Sequence, residues 1–286
     1  MKKYLYLMRV HHYIKNILIF MPLIFSGNLT DRRKFTATLL GMIAFSLVTS
    51  AVYIINDIRD AEKDRMHPTK KNRPIASGAV TPFHAVVVMV FILIAAVVLL
   101  VVSDATAGSY ALVILYLFIN VAYSMGLKDV PLLDVTILAS GFLLRVLFGA
   151  VLTGTEVSEW LYLTVLSGAF YFSLGKRRNE LQKKKDGDTR KVLKYYTRDF
   201  LDKNMYMCLA LLNTFYALWC KDITNAGMEY AMWTVPIVIL ICMKYSLTVE
   251  GNSEGDPVEV LLHDRVLMAL CVVYGIVMIG MLYFGA

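Results

Sequence analysis

Charge is scarce in this sequence. Of 286 residues, 18% are Asp, Glu, Lys or Arg and 58% are hydrophobic, with a mean hydropathy of +0.59. A soluble domain carries about 25% charged and about 45–50% apolar residues. One water-facing core cannot hide this excess, which argues against an ordinary soluble enzyme and makes the bilayer the natural solvent. Cysteine is also sparse: Cys208, Cys220, Cys242 and Cys271 lie in apolar runs with no C-x-x-C pair. That pattern argues against a zinc ribbon or disulfide frame and implies buried free thiols. No Gly-rich phosphate loop, Ser-His-Asp or Cys-His arrangement, or nucleic-acid motif stands out. The first 15 residues have neither an uninterrupted apolar core nor a small-residue cleavage site, so no cleavable signal peptide is expected.

What is present is apolar length. Residues 35–55, 83–103, 105–127 and 266–286 contain no Lys, Arg, Asp or Glu, and a spanning helix needs about 20 residues. Shorter runs cover 16–30, 160–175, 204–220 and 230–243, and 130–152 is apolar but carries Asp134 and Arg145. The expectation is an all-α membrane protein, a bundle of nine transmembrane helices. With the N-terminus in the cytoplasm, loops at about 56–82, 128–130, 176–203 and 247–264 share one side. The first holds Arg59, Lys63, Arg65, Lys70, Lys71 and Arg73, and 176–203 holds eleven Lys or Arg. The other face has little beyond Arg32, Arg33, Lys34 and Lys221. The excess of cations therefore places the rich loops in the cytoplasm, with the active side facing the cytoplasm across the cell (inner) membrane. The net charge of +7 reads as attraction to lipid headgroups and anionic substrates, not to nucleic acid. Residues 1–286 read as a single domain. The oligomeric state is open, a homo-oligomer included.

The sharpest constellation is 56–78, NDIRDAEKDRMHPTKKNRPIASG. Asp57, Asp60 and Asp64 are spaced three and four, one stripe of a helix. Aligned carboxylates repel unless a cation lies between them. Mg²⁺ suits them, because it takes oxygen ligands and bridges to substrate phosphates. Asn56 can orient a carboxylate or contact substrate. Arg65, His67, Lys70, Lys71 and Arg73 come directly after, as a metal-bound polyphosphate would require. Pro68, Pro74 and Gly78 argue against one continuous helix. The competing reading is a salt-bridged, solvated loop. A second group, YSMGLKDVPLLD at 123–134, brings Tyr123, Lys128 and Asp134 to the same cytoplasmic level. Arg145 lies about three turns after Asp134 and shares its face, either in a polar cavity or in a structural Asp–Arg pair. Lys15 reads as a phosphate clamp or a snorkelling lysine, beside Arg9, His11, His12 and Asn16. Lys176 and Arg177, with Glu180, stand where the sixth span reaches the cytoplasm and can close the site. Asp264 and Arg265 read as site rim or helix cap.

The stripe N-D-x-x-D-x-x-x-D, the RPIASG loop and the YSxxLK segment resemble the UbiA superfamily of intramembrane prenyltransferases. The KN pair at Lys15-Asn16, HPTKKNRPIASG, the stretch at 175–181 and GDPVEVLLHDRVL at 255–267 are similar to its phosphoribosyl-transferring branch. Two departures stand out: Val10-His11-His12-Tyr13 replaces a Pro-x-Gln-Trp run, and the second motif offers Asp129 and Asp134, five apart. The resemblance implies the UbiA-type nine-helix fold and a Mg²⁺ cluster on Asp57, Asp60 and Asp64. It also implies transfer of 5-phosphoribose from phosphoribosyl pyrophosphate to a polyprenyl phosphate, with release of pyrophosphate. Lys70, Arg73 and Lys128 would hold donor phosphates, and Lys15 or Lys176–Arg177 the 5-phosphate or the lipid phosphate. Two rivals remain: transfer of a prenyl chain from its diphosphate to an aromatic or lipid acceptor, and anion transport.

Overall fold

The computed structural model describes residues 2–66, 70–182, 190–225, 230–251 and 257–284, and among these every regular element is helical. The chain divides into two compact units, Met1–Leu127 with Leu144–Glu156, and Lys128–Leu143 with Val157–Ala286.

The first unit begins with α1 (Lys2–Met8), a 3₁₀ helix Val10–Phe20 and the short α2 (Met21–Phe25). This corrects the expectation of one regular helix over 16–30. Arg9 turns left-handed at φ 51° and separates α1 from the 3₁₀ helix. Pro22 lacks the N–H that a continuing α-helical ladder needs. The long α3 (Arg32–Arg59) starts where Asp31 accepts the N–H groups of Arg33 and Lys34, at 2.9 and 3.2 Å. After one non-helical residue, Asp60, the chain resumes as α4 (Ala61–Arg65). Thr81 caps α5 (Pro82–Val102), and α6 (Ala107–Met125) ends at Gly126, whose φ of 145° suits glycine. The helix α7 (Leu133–Thr153) contributes its second half here. A Cβ on Gly149 would lie 2.0 Å from the Ile19 carbonyl oxygen, so glycine alone lets the 3₁₀ segment touch α7. Ile19, Phe45, Leu100, Tyr116 and Phe148 form one core. Leu7, Ile54, Ile75, Val80 and Ala85 form another, near the end of α3.

The second unit holds the first half of α7, then α8 (Glu159–Gln182), α9 (Arg198–Asn225), α10 (Val235–Glu250), α11 (Pro257–His263) and α12 (Arg265–Phe284). Here α8 lies along α9, and α10 packs on α12. Tyr171, Leu174, Leu193, Leu201, Met205, Tyr245 and Leu267 are core members. The basic stretch from 176 starts as helix, as its sequence suggests, and stays helical to Gln182; the expected loop bounds are corrected at α9, which already begins at Arg198, and at α10, which runs to Glu250. Arg177, Arg178 and Asn179 are buried, so packing extends α8 beyond the apolar run. Residues 183–189 and 252–256, Gly255 and Asp256 among them, lie outside the described residues, as do His67 and Pro68.

Six described helices are long and apolar enough to cross a membrane: α3, α5, α6, α7, α12, and α10 together with its preceding 3₁₀ turn. On α5, Phe91, Ile94, Val98 and Val101 face outward, as suits a lipid-facing surface whose backbone is satisfied within the helix. The chain is a multi-pass membrane protein. All four cysteines are free, with Cys208 and Cys220 buried.

Candidate active site

The first unit gathers acid and base where α3 breaks. Asp57 and Asp64 are seven residues apart, within about 20° of two full turns, whereas Asp60 is rotated about 60° from Asp57. The structure obeys this arithmetic. Asp57 and Asp64 are 2% and 4% exposed, and Asp60, at φ −89° and ψ 4°, is half-buried at the break. Buried carboxylates need positive charge close by. Arg73 supplies it to both: one guanidinium nitrogen lies 2.7 Å from Asp64 Oδ2 and 3.3 Å from Asp57 Oδ1. Arg9 donates to the same Asp57 oxygen at 2.6 Å while its guanidinium lies 4.7 Å from the centre of the Tyr53 ring.

Arg73 points there because its loop is anchored. The Arg73 N–H bonds the Lys70 carbonyl, the Ser77 N–H the Arg73 carbonyl, and the Val80 N–H the Pro74 carbonyl, all at 2.8–2.9 Å. Ile75 and Val80 are sunk in the core, and Gly78 takes φ 76° to close the turn. Burying Ile75 is worth about 1.5–3 kcal/mol. Arg65 is exposed and donates through Nε to the Ala76 carbonyl at 3.3 Å, tying α4 to the same loop. Lys70 is half-buried in a 3₁₀ turn, Lys70–Asn72. Asn56 accepts a hydrogen bond from the Ser124 hydroxyl at the end of α6, beside half-buried Tyr123.

The expected three-carboxylate cluster is therefore an Asp57–Asp64 pair. Among the described residues no group of three or more His, Cys, Asp or Glu is placed to hold a metal ion. Mg²⁺ does not need three. It is held by one or two carboxylates together with substrate phosphates and water. The donors on Asp57 and Asp64 are oxygens, both buried and both within 3.3 Å of one cationic nitrogen, so the residues fit that ion.

Other expected site residues are engaged in packing. Asn16 is buried; its amide donates to Ser46 Oγ at 2.8 Å and its carbonyl accepts from Arg145 Nε at 2.7 Å. Lys15 is half-buried next to it. Arg145 also reaches the Tyr116 hydroxyl at 3.3 Å and lies over the Phe45 and Tyr116 rings. Of the two readings of Arg145, the structural pair with Asp134 does not form: Arg145 bonds Asn16 and Tyr116, and Asp134 bonds Arg177 and Tyr196. Eleven residues on one helix face are still about 16 Å apart along the axis.

In the second unit, Asp134 is fully buried in the first turn of α7. It is held by Arg177 Nε and the Tyr196 hydroxyl, each at 2.5 Å. Fully buried Arg177 also donates to Glu180 at 2.7 Å, which Arg190 approaches at 3.3 Å. Burial raises the Glu180 pKa, but Arg177, Arg190 and Lys176 outweigh it and hold the carboxyl below its usual value. Arg178 pairs with Asp202 at 2.5 Å. Lys128 is half-buried in the 3₁₀ turn Leu127–Asp129, and Lys176 is half-buried on α8. Asp264 accepts from Lys244 and Thr248 and caps α12 through the Leu267 N–H; these bonds hold its carboxyl well below the usual range. Sequence reasoning assigned no role to Arg9 or Tyr196. Arg9 acts across 48 residues of chain, and Tyr196 is one of 17 tyrosines with no distinguishing spacing.

The UbiA prenyltransferase family model matches residues 17–257. A decaprenyl-phosphate phosphoribosyltransferase of Corynebacterium glutamicum is 34% identical over 95% of this chain and 84% of its own length. The protein of that name from Mycolicibacterium smegmatis is 33% identical over 92% of this chain and 86% of its own. Among solved structures, a UbiA homologue from Archaeoglobus fulgidus bound to GPP and Mg²⁺ superposes with a TM-score of 0.74 at 19% identity, covering 97% of this chain and 99% of that one. Family match, relatives matched over most of their length, and shared fold agree: the chain belongs to the UbiA prenyltransferase family.

Proposed function

We propose that this protein transfers 5-phosphoribose from phosphoribosyl pyrophosphate to a polyprenyl phosphate, releasing pyrophosphate. The observation that carries this reading is the buried Asp57–Asp64 pair facing Arg73 and Arg9, a site built for an anion that arrives with its own cation. The two phosphoribosyltransferase relatives, similar along nearly the whole chain, support the choice of substrates.

When bound at Asp57 and Asp64, with Asp60 beside them, Mg²⁺ supplies positive charge for the departing pyrophosphate. The chain's own groups do the rest. Arg9 and Arg73 balance the carboxylates and can turn toward donor phosphates, since a guanidinium bonds phosphate as readily as carboxylate. Arg65, Lys70 and Lys128 hold further phosphate oxygens, and Asn56 and Tyr123 line the donor. Lys15 or Lys176 would meet the 5-phosphate or the lipid phosphate, and Arg177 fixes Asp134 in place. Arg145 supports the wall through Asn16. A polyprenyl phosphate is already anionic at neutral pH, so no general base is required. Its oxygen attacks C1 of the ribose, the bond from C1 to the pyrophosphate oxygen breaks, and the configuration at C1 inverts. Fixed cations aimed at the leaving group lower the barrier where charge develops.

The same reading makes the chain one catalytic domain with nine crossings, the N-terminus and the site cytoplasmic, in the cell (inner) membrane. Membranes containing the protein should convert labelled phosphoribosyl pyrophosphate and polyprenyl phosphate into a labelled lipid, with Mg²⁺ present and not after chelation by EDTA. The second reading, prenyl transfer, is favoured by GPP in the archaeal homologue. Label entering lipid only from a prenyl diphosphate would establish it instead.

A further inference from the structure

Three described non-glycine residues have positive φ: Arg9, Asp104 and Leu132. Leu132, at φ 66°, is the apolar one, and a side chain with a Cβ is strained in the left-handed region. Its own packing does not hold it there, since it is 56% exposed. Tyr196 does. The Tyr196 hydroxyl accepts the Leu132 N–H at 2.8 Å and donates to Asp134 Oδ1. Arg177 secures the other Asp134 oxygen, and Phe200 stacks on the Tyr196 ring at 5.8 Å with planes 8° apart. Burial, with the hydrogen bond to Asp134 next, pushes the phenol up to about 12, so it remains a donor throughout the neutral range. The Leu132 carbonyl accepts the Thr136 N–H at 2.9 Å, and the Val130 carbonyl accepts the Asp134 N–H at 3.2 Å. A buried chain of hydrogen bonds thus runs from α8 to one strained residue in the turn that carries Lys128.

We infer that Tyr196 is a positioning residue: by holding Leu132 left-handed it sets the Lys128–Leu133 turn, and with it the place where the Lys128 ammonium meets donor phosphate. This rests on the phosphate role proposed for Lys128. Tyr196→Phe keeps the ring and its stacking and removes only the hydroxyl. With full-length protein in detergent, the KM for phosphoribosyl pyrophosphate should rise about tenfold while kcat changes by less than about twofold. Amide exchange over 128–134 should accelerate. In a Lys128→Ala background, Tyr196→Phe should raise KM no further, because the two changes remove one contact. Glycine adopts positive φ without strain, so Leu132→Gly combined with Tyr196→Phe should recover most of the lost donor affinity. A purely structural tyrosine gives no such rescue.

A wild-type KM in Tyr196→Phe beside a raised one in Lys128→Ala overturns the inference alone. Independent, multiplying effects of the two changes, or no rescue by Leu132→Gly, overturn it as well. A wild-type KM in Lys128→Ala removes Lys128 from the donor site, and the inference falls with that reading. If Tyr196→Phe proves too unstable to assay, Leu132→Val tests the same turn, because a β-branched residue resists positive φ: its KM should rise, while Leu132→Ala, which only trims an exposed side chain, should keep the wild-type value. A wild-type KM in Leu132→Val, or an equal rise in Leu132→Ala, would sink the inference.

Discussion

Asp57 is the residue on which most converges, since it is buried and meets two guanidinium groups. Asp57→Asn keeps its shape and removes its charge. Turnover should fall by about 10²–10³, the usual loss when one preorganised electrostatic group is removed. Thermal unfolding in detergent should show a folded protein, and activity within a few-fold of wild type at saturating Mg²⁺ would refute the role. Arg9→Ala is the complementary change. Asp57 keeps Arg73, so the fold persists, while the donor's KM should rise about tenfold. An unchanged KM would confine Arg9 to neutralising Asp57. Neither arginine contact could be read from local spacing. The stripe of aspartates was legible because helical periodicity is local, but the cation that meets it comes from wherever tertiary packing delivers one.

At the scale of elements, close approach and buried charge decide stability. Gly149→Ala puts a methyl where the Ile19 carbonyl sits, and overpacking of this kind costs about 1–3 kcal/mol. Its melting temperature should drop, and a melting temperature equal to wild type would mean that the 3₁₀ segment moves aside. The end of α8 makes a pH prediction. Glu180 and Asp264 both have depressed carboxyl pKa values, through Arg177, Arg190 and Lys176 in one case and Lys244 and Thr248 in the other. A depressed value means the stabilisation is present above the ordinary carboxylate value of about 4 and is lost as pH falls through the folded value. Thermal stability should therefore hold from neutral pH down to about pH 5 and decline below about pH 4. Glu180→Gln should start lower and decline less steeply, and acid limbs parallel to wild type would exclude its contribution. A helical start to the basic stretch after residue 176 was legible; its burial was not. A run of cations reads as solvated loop until a buried Asp134 is found to receive one of them.

For the whole molecule, the testable statement is its orientation. After replacement of the four native cysteines, Lys221→Cys should react with a membrane-impermeant maleimide in intact cells, and Lys71→Cys only after the membrane is opened. The reverse labelling would invert the proposed topology. Composition alone determined that this chain lives in a bilayer, because no soluble core can hide so much apolar surface. The spacing of Asp57, Asp60 and Asp64 put all three on one stripe of a continuous helix, whereas the break at Asp60 between α3 and α4 left only Asp57 and Asp64 buried. Tertiary structure alone decided which charges meet: Arg9 and Arg73 with Asp57, Arg177 and Tyr196 with Asp134, and Asn16 with Arg145. Such partners lie from 16 to 129 residues apart in the chain, and low-dielectric burial chooses among many available cations by geometry that no local pattern records.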